Sequence, residues 1–549
     1  MLETHNSRYE AARDALARFA ELEKSPEHLH TYRITPLSLW NAAAAGIAAD
    51  AVVRALETFS KYDLPSNVVV DIRDYMARYG RVKLRRDGAM LVLEVEDRPL
   101  ATEIAGSKHL QPFLKARRHS GLAFEVDPAD RGRIKQALIH FGYPAEDLAG
   151  YVDGAALPLD LLPVDRIGRP FSLRRYQQEA ADVFYASGGP HGGNGVIVLP
   201  CGAGKTVIGL AAMVRCGTAT LILASSTVAV HQWRRELLEK TTLNPTDIGE
   251  YTGERKEIRP VTLTTYQMVS YRPRRDENFP HFELFTSFDW GLIIYDEVHL
   301  LPAPIFRITA DLQARRRLGL TATLIREDGM EKDVFSLIGP KRYDIPWKDL
   351  ERQGWIATAE CHECRVPMTE DLRMEYALAD DRVKYRVAAE NPAKLIVAQQ
   401  IATQHRDDCV LIIGQYLDQL KLLASIFDAP LITGSTPNWQ RDQLYAQFRA
   451  GDIKLLVVSK VANFAIDLPD ANVAIQVSGT FGSRQEEAQR LGRLLRPKTD
   501  GAVAHFYTIV SRDSRDQDFA AKRQLYLTEQ GYHYDIQDVD VAVERIPAR

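Results

Sequence analysis

Cysteine is scarce in this sequence. Five in 549 residues are too few for a disulfide framework and fit a reducing compartment. Long apolar runs are missing as well. The Ala-rich stretch from Ala42 to Val53 is interrupted by Asp50 and is too short to span a bilayer, so no membrane partner is expected. Met1-Leu-Glu-Thr-His-Asn lacks the basic start and apolar core of a signal peptide, and a cytoplasmic location is expected. An excess of one charge sign is absent too. At a formal net charge of −4 the chain is no polycation, and a nucleic-acid partner has to be held by local patches. What remains is ordinary globular material, 45% hydrophobic and 26% charged. It is long enough for several cores in about three or four domains.

The chain is organised around Leu199-Pro-Cys-Gly-Ala-Gly-Lys205-Thr206. Gly195–Leu199 reads as a buried strand and Val207–Val214 as a helix, the context that makes a phosphate loop. Gly202, Ala203 and Gly204 let the backbone close round an anion, and the helix N-terminus adds a positive field. Lys205 is expected at the β- and γ-phosphates of a nucleotide and Thr206 at its metal ion. The common pattern has a further glycine where this chain carries Leu199, so only a shortened core is present.

A second site follows at Leu292-Ile-Ile-Tyr-Asp296-Glu297-Val-His299. An apolar strand runs into two carboxylates. Asp296 is expected to hold Mg²⁺ through its water shell, and Glu297 to orient and deprotonate an attacking water. His299 is placed to bond across to Thr321-Ala-Thr323, after the next strand. In Gln489-Arg490-Leu-Gly-Arg493-Leu-Leu-Arg496, the three arginines share one helix face. A cationic face on one domain, opposite a phosphate site on another, is what an arginine finger needs.

Taken in order, residues 1–97 read as three helices (Ser38–Ile47, Asp50–Tyr62, Ser66–Tyr79) and a hairpin turning at Asp87-Gly88, the plan of a winged helix. Residues 98–165 read as a small α+β unit of helix, strand and helix. Its cluster Lys115, Arg117, Arg118, His119 is as well explained by a solvated loop as by a phosphate contact. From Phe171 strands and helices alternate, giving two α/β domains, 166–350 and 351–549, each with a parallel sheet covered on both faces. A charged helical insert spans 368–391. Cys361-His-Glu-Cys364 has metal-ligand spacing, but without a second cysteine pair a zinc site is not expected there.

In this order the motifs resemble those of superfamily 2 DExH helicases, and most of all the XPB type in its compact bacterial or archaeal form. The resemblance implies tandem RecA-like motor domains that use ATP and Mg²⁺ and act on DNA, single-stranded and forked or duplex. It implies that Gln177, in Arg175-Tyr176-Gln177, reads adenine. Gln489 and Asp467 join Gly202–Thr206 at the nucleotide, and Lys205, Asp296, Glu297, Arg493 and Arg496 carry the catalysis. Ser225, Thr227, Thr264, Thr265 and the Arg326-Glu327-Asp328 motif face DNA. The region upstream of 165 is similar to the family's N-terminal and damage-recognition parts, while the 368–391 insert is short for a thumb. The implied activity is 3′→5′ DNA unwinding in repair, beside the nucleoid, with a repair nuclease or other repair protein as partner. Two other readings share these motifs: a duplex translocase that does not separate strands, and a nucleotide-gated interaction protein.

Overall fold

The structure is a computed structural model. It describes the chain apart from residues 4–5, 17, 25–28, 119–120, 190–191, 201, 274–278, 302–304, 306–308, 310–311, 313–314, 323–330, 346, 460–470, 480–502, 530–531, 533 and 541–549. Among the described residues no single helix is long and apolar enough to cross a membrane.

Short apolar runs separated by amphipathic helices form two parallel sheets. The first has seven strands in the spatial order Ile248–Tyr251, Val261–Thr265, Thr220–Ala224, Leu292–Asp296, Arg316–Thr321, Asn194–Val198, Lys341–Asp344. Asn194–Val198 and Thr220–Ala224 are buried at every position. Ile197, Ile222 and Ile294 face one core, and Val196, Leu221 and Ile293 face another. Burial on both faces is why these strands read as unbroken apolar runs. The register sets Thr321 beside Val198 and Asp296 beside Leu320. The carboxyl ends of the central strands therefore stop at one level, on the edge where open α/β sheets bind ligands.

The second sheet repeats the plan, in the order Leu431–Ile432, Leu455–Ser459, Val410–Gly414, Val473–Gln476, Ala504–Ser511, Ala359–Val366, Tyr534–Asp538. Both sheets are parallel at every pairing. The charged insert forms two helices, Glu370–Leu378 and Asp381–Ala389, and the second buries Tyr385. The arginine-bearing helix expected over 483–495 lies outside the described residues.

Upstream, the three expected helices form at Pro36–Ala44, Ala49–Phe59 and Ser66–Arg78. Thr35 and Ser38 close a reciprocal capping box at the first. Leu39, Val52, Val53, Ile72 and Met76 bury together with Phe19. The hairpin Val82–Asp87/Met90–Val95 does not stand as a wing on these helices. It is the centre of a four-stranded sheet, pairing with Ala123–Val126 on one side and Glu146–Asp147 on the other. The cause is its apolar face. Val82, Leu84, Leu91 and Leu93 are buried against Phe124, Ile134 and Leu138 of the following unit. The helix expected over Leu100–Arg117 is also shorter, ending at Gly106.

This small sheet is closed by a buried charge cluster. Arg131 grips Asp147 bidentately at 2.8 and 3.0 Å, and Lys135 Nζ stands 2.9 Å from the same carboxylate. All three side chains are buried. Burial pushes the Asp147 carboxyl up, but Lys135 and Arg131 outweigh it and hold it far below the carboxylate range. Burial lowers Lys135 to about 8 against the pull of Asp147. Asp147→Asn removes the carboxylate that the buried Arg131 and Lys135 share. It should cost about 3–5 kcal/mol, read as faster amide exchange over 82–149 and a lower melting transition. Because the Asp147 carboxyl is depressed in the fold, its stabilisation is complete above about pH 4 and is lost as pH falls further. The melting transition of the Asn variant should depend less steeply on pH in that acid range.

Candidate active site

The buried strand Asn194–Val198 delivers the chain into the glycine loop. Gly202 and Gly204 both take positive φ, 83° and 80°, a region closed to most side chains. Gly204 is the N-cap of the helix Lys205–Cys216 and offers no side-chain cap, so the first-turn N–H groups face the loop's concavity. A Cβ on Gly204 would come 2.5 Å from Gln177 Nε2, so the glutamine lies directly against the loop. Gln177 Nε2 donates to the Ala203 carbonyl at 3.2 Å, and the Tyr176 hydroxyl donates to the same oxygen at 2.6 Å. Gln177 Oε1 accepts the Arg174 backbone N–H at 3.0 Å. One end of the amide thus holds the loop, and the other caps the start of its own helix Arg175–Tyr185.

Asp296 ends the strand Leu292–Asp296, and Glu297 follows in the left-handed region at φ 50°. A non-glycine residue held there is the kind of local strain that collects at working sites. Lys205 Nζ reaches across from the loop to 3.4 Å from Glu297 Oε1 and 3.5 Å from the Leu199 carbonyl. Asp296 Oδ2 accepts the Trp233 indole N–H at 2.9 Å, and its Oδ1 accepts the Glu297 N–H at 3.1 Å. The Tyr266 hydroxyl donates to the Asp296 carbonyl at 2.8 Å. His299 Nδ1 lies 2.7 Å from Thr321 Oγ1 and 3.5 Å from Glu297 Oε2, linking the two carboxylate and hydroxyl motifs as expected of it.

The electrostatics separate the two acids. Burial, then the Glu297 charge beside it, push the Asp296 carboxyl above its ordinary value. Burial also pushes Glu297 up, but Lys205 and then His299 outweigh it and hold it ionised. Glu297 Oε2 is buried without a hydrogen-bond partner. Two neighbouring carboxylates offer oxygen donors here, and one of their oxygens is left without a hydrogen bond. That chemistry fits a hard divalent cation and a water to be activated.

Lys205, Asp296 and Glu297 meet at one edge, with Gly202, Ala203, Gly204, Thr206 and Gln177 around the loop. The DNA-facing residues expected from the sequence divide differently. Ser225 and Thr227 flank the start of the helix Thr227–Lys240 and are half-buried. Thr264 and Thr265 turn inward. The Thr264 hydroxyl donates to the Tyr251 carbonyl at 2.8 Å, and Thr265 caps the next helix by accepting the Met268 N–H at 3.1 Å. Both are buried, their hydroxyls occupied by the fold. Arg326, Glu327, Asp328, Asp467, Gln489, Arg493 and Arg496 lie outside the described residues. Sequence reasoning missed Tyr176, Trp233 and Tyr266 as site residues. Tyr176 lies in the Arg175-Tyr176-Gln177 stretch and Tyr266 directly follows Thr265, but nothing in a one-dimensional pattern says that an aromatic side chain ends on a carboxylate or a loop carbonyl.

Comparison with known proteins agrees with this geometry. The ERCC3/RAD25/XPB C-terminal helicase model matches residues 350–546. A helicase conserved C-terminal domain matches 1–119, and the type III restriction enzyme res-subunit model matches 170–326. The DNA 3′-5′ helicase XPB of Mycobacterium tuberculosis is 57% identical over 541 residues, covering 98% of this chain and 96% of the relative. The DNA 3′-5′ helicase XPB of Kineococcus radiotolerans is 56% identical over 98% of this chain and 95% of its own. A Saccharomyces cerevisiae relative, the general transcription and DNA repair factor IIH helicase/translocase subunit XPB/SSL2, is 31% identical over 100% of this chain and 72% of its own. On that likeness, carried through nearly the whole sequence, the chain belongs to the XPB helicase family.

Proposed function

We propose that this chain is an ATP-driven 3′→5′ DNA helicase that works in repair, with Mg²⁺ as its metal. The observation that carries the reading is the meeting of Lys205 with Glu297 at 3.4 Å across the mouth of the glycine loop. The first-turn N–H groups of the helix Lys205–Cys216 and the Lys205 ammonium bind the phosphates. Thr206 and Asp296 would hold Mg²⁺, which when bound neutralises the phosphate charge. An incoming phosphate competes with Glu297 for the Lys205 ammonium. As its ammonium turns to the incoming phosphate, Glu297 loses its nearest cation and becomes the stronger base. Its free Oε2 then accepts a proton from the attacking water. His299, pinned by Thr321, keeps the carboxylate in place.

Arg493 and Arg496 complete the site from the second domain, a role assigned on sequence alone. DNA crosses the carboxyl ends of both sheets, held mainly by its backbone, so binding is salt-sensitive. Ser225 and Thr227 face it, and Arg326-Glu327-Asp328 engages the strand being parted. Such a motor works in the cytoplasm on the nucleoid, and a repair nuclease is the class of partner that an opened duplex serves.

The deciding experiment is steady-state ATP hydrolysis with and without single-stranded DNA, beside Glu297→Gln and Lys205→Ala. DNA should raise the rate several-fold. Glu297→Gln should abolish turnover while keeping nucleotide binding, and Lys205→Ala should lose both. A rate unmoved by DNA would refute the DNA-driven motor. Strand displacement on duplexes with a 3′ or a 5′ tail then tests polarity. Displacement of a third strand with no single strands released would mark a translocase instead.

A narrower test concerns Trp233. Trp233→Phe keeps an aromatic ring at this position but removes the N–H that positions Asp296. The kcat for DNA-stimulated hydrolysis should fall by about 10-fold or more, as when an outer-shell partner is lost, with KM for ATP little changed.

A further inference from the structure

The sequence offers Cys361-His-Glu-Cys364 as metal-ligand spacing, and the strand Ala359–Val366 separates the two thiols. Cys361 packs in the core with Phe506, while Cys364 packs in the opposite core with Val366 and Ile509. Neighbouring strands gather a different set of groups. Ala359–Val366 runs parallel to Ala504–Ser511, with Glu360 opposite His505 and His362 opposite Tyr507. Glu360, His362, His505 and Tyr507 therefore share one face at the amino end of both strands.

On that face the two imidazoles stack at 5.8 Å and 26°. His362 Nε2 stands 3.9 Å from Glu360 Oε2, and His505 Nδ1 stands 3.4 Å from the same oxygen. Neither nitrogen has a hydrogen-bond partner, and both are buried atoms. The ligand atoms of the three residues all lie within 4.8 Å of one another. With bonds of about 2.0–2.1 Å, the donors of a tetrahedral zinc site stand roughly 3.3 Å apart. The three side chains are thus spaced as donors round an ion, and wider than a hydrogen bond. Behind them the Asp535 carboxylate faces the other nitrogen of His362, Nδ1, at 3.8 Å, where an outer carboxylate orients a ligating imidazole. His405 backs the cluster and is not part of it. Its Nδ1 is 2.9 Å from Asp408 Oδ2 and its Nε2 3.0 Å from the Tyr507 hydroxyl, so both nitrogens are in use.

We propose that Glu360, His362 and His505 form a second metal site, distinct from the nucleotide cleft, that takes Zn²⁺ or another imidazole-preferring divalent ion. Two nitrogens and one carboxylate oxygen select such ions over Mg²⁺, which prefers an all-oxygen shell. The half-exposed Glu360 leaves an open side for water and for entry of the ion. Glu360 and His362 lie on the strand Ala359–Val366, near the start of the second domain's chain, and His505 lies on its neighbour. A bound ion cross-links the amino ends of these two neighbouring strands.

The test uses the full-length untagged chain, in excess Mg²⁺ to discourage Zn²⁺ at the nucleotide cleft. Calorimetric titration with Zn²⁺ should give one equivalent bound, and Co²⁺ should give visible bands of a four- or five-coordinate ion without thiolate charge transfer. His362→Ala and His505→Ala should each abolish the bands and the equivalent. The milder Glu360→Gln should weaken binding by about 10-fold or more, in case either alanine variant folds poorly. Cys361→Ser should change nothing. Zn²⁺ should also raise the melting transition of the native chain and not of the histidine variants. Absence of a stoichiometric equivalent, its survival in both histidine variants, or thiolate bands that vanish in Cys364→Ser, whose thiol lies on the cluster's side of the sheet, would each overturn the proposal.

Discussion

Two adjacent carboxylates at the end of a buried strand are unstable unless something cationic stands beside them, and this constraint orders the catalytic edge. Asp296 and Glu297 follow directly on residues buried in the first sheet. Their mutual repulsion and their burial both favour protonation. Lys205 is the side chain that relieves Glu297, and it can do so only because the glycine loop turns its helix toward the neighbouring strand end. The same ammonium is what a phosphate requires. In the proposed mechanism nucleotide and glutamate contend for this one cation. Glu297 would then be quiet in the absence of nucleotide and strengthened by its arrival, which suits a motor.

The precision of that edge comes from aromatic side chains rather than from the acids. Trp233 is buried, lies on Gly209 so closely that a Cβ there would be 2.4 Å from its ring, and turns its N–H to Asp296. Tyr266 and Tyr176 hold backbone carbonyls of the two motifs at 2.8 and 2.6 Å. Each ring has few torsions to lose and a large area to bury, so each fixes a polar contact at little entropic cost. Glu297, left in a positive-φ conformation, depends on this frame.

How much of this was legible beforehand follows from where the information sits. The central strands were readable because burial on both faces leaves an uninterrupted apolar run, as in Thr220–Ala224 and Leu292–Asp296. The edge strands Ile248–Tyr251, Lys341–Asp344 and Tyr534–Asp538 were not. They carry glutamate, lysine, arginine and aspartate, as edge strands do, and so resemble loops, although Ile248–Tyr251 is largely buried. The Asp87-Gly88 turn announced a hairpin but could not say which unit would claim it, because that depends on partners distant in sequence, Phe124 and Ile134. The phosphate loop and the acidic strand end were legible as chemistry. That Thr264 and Thr265 spend their hydroxyls inside the fold was not, since a cap and a DNA contact use the same residue types.

The loop and the joint between the sheets are also not independent. Arg174 donates its backbone N–H to Gln177 and a guanidinium N–H to the Tyr176 hydroxyl at 3.0 Å, the two residues that hold the Ala203 carbonyl. Its guanidinium lies 4.6 Å over the Trp355 ring, at the start of the second domain's chain. A cation on an aromatic face is worth about 1 kcal/mol, enough to bias an equilibrium and too little to lock it. If the sheets move, Trp355 moves relative to Arg174. The hydrogen bonds that shape the loop then feel the change through one side chain. Conversely, if Gln177 reads adenine as proposed, drawing it away from Ala203 would loosen its bond to the Arg174 N–H. A weak contact suits such a link, because a motor must break and remake it in every cycle.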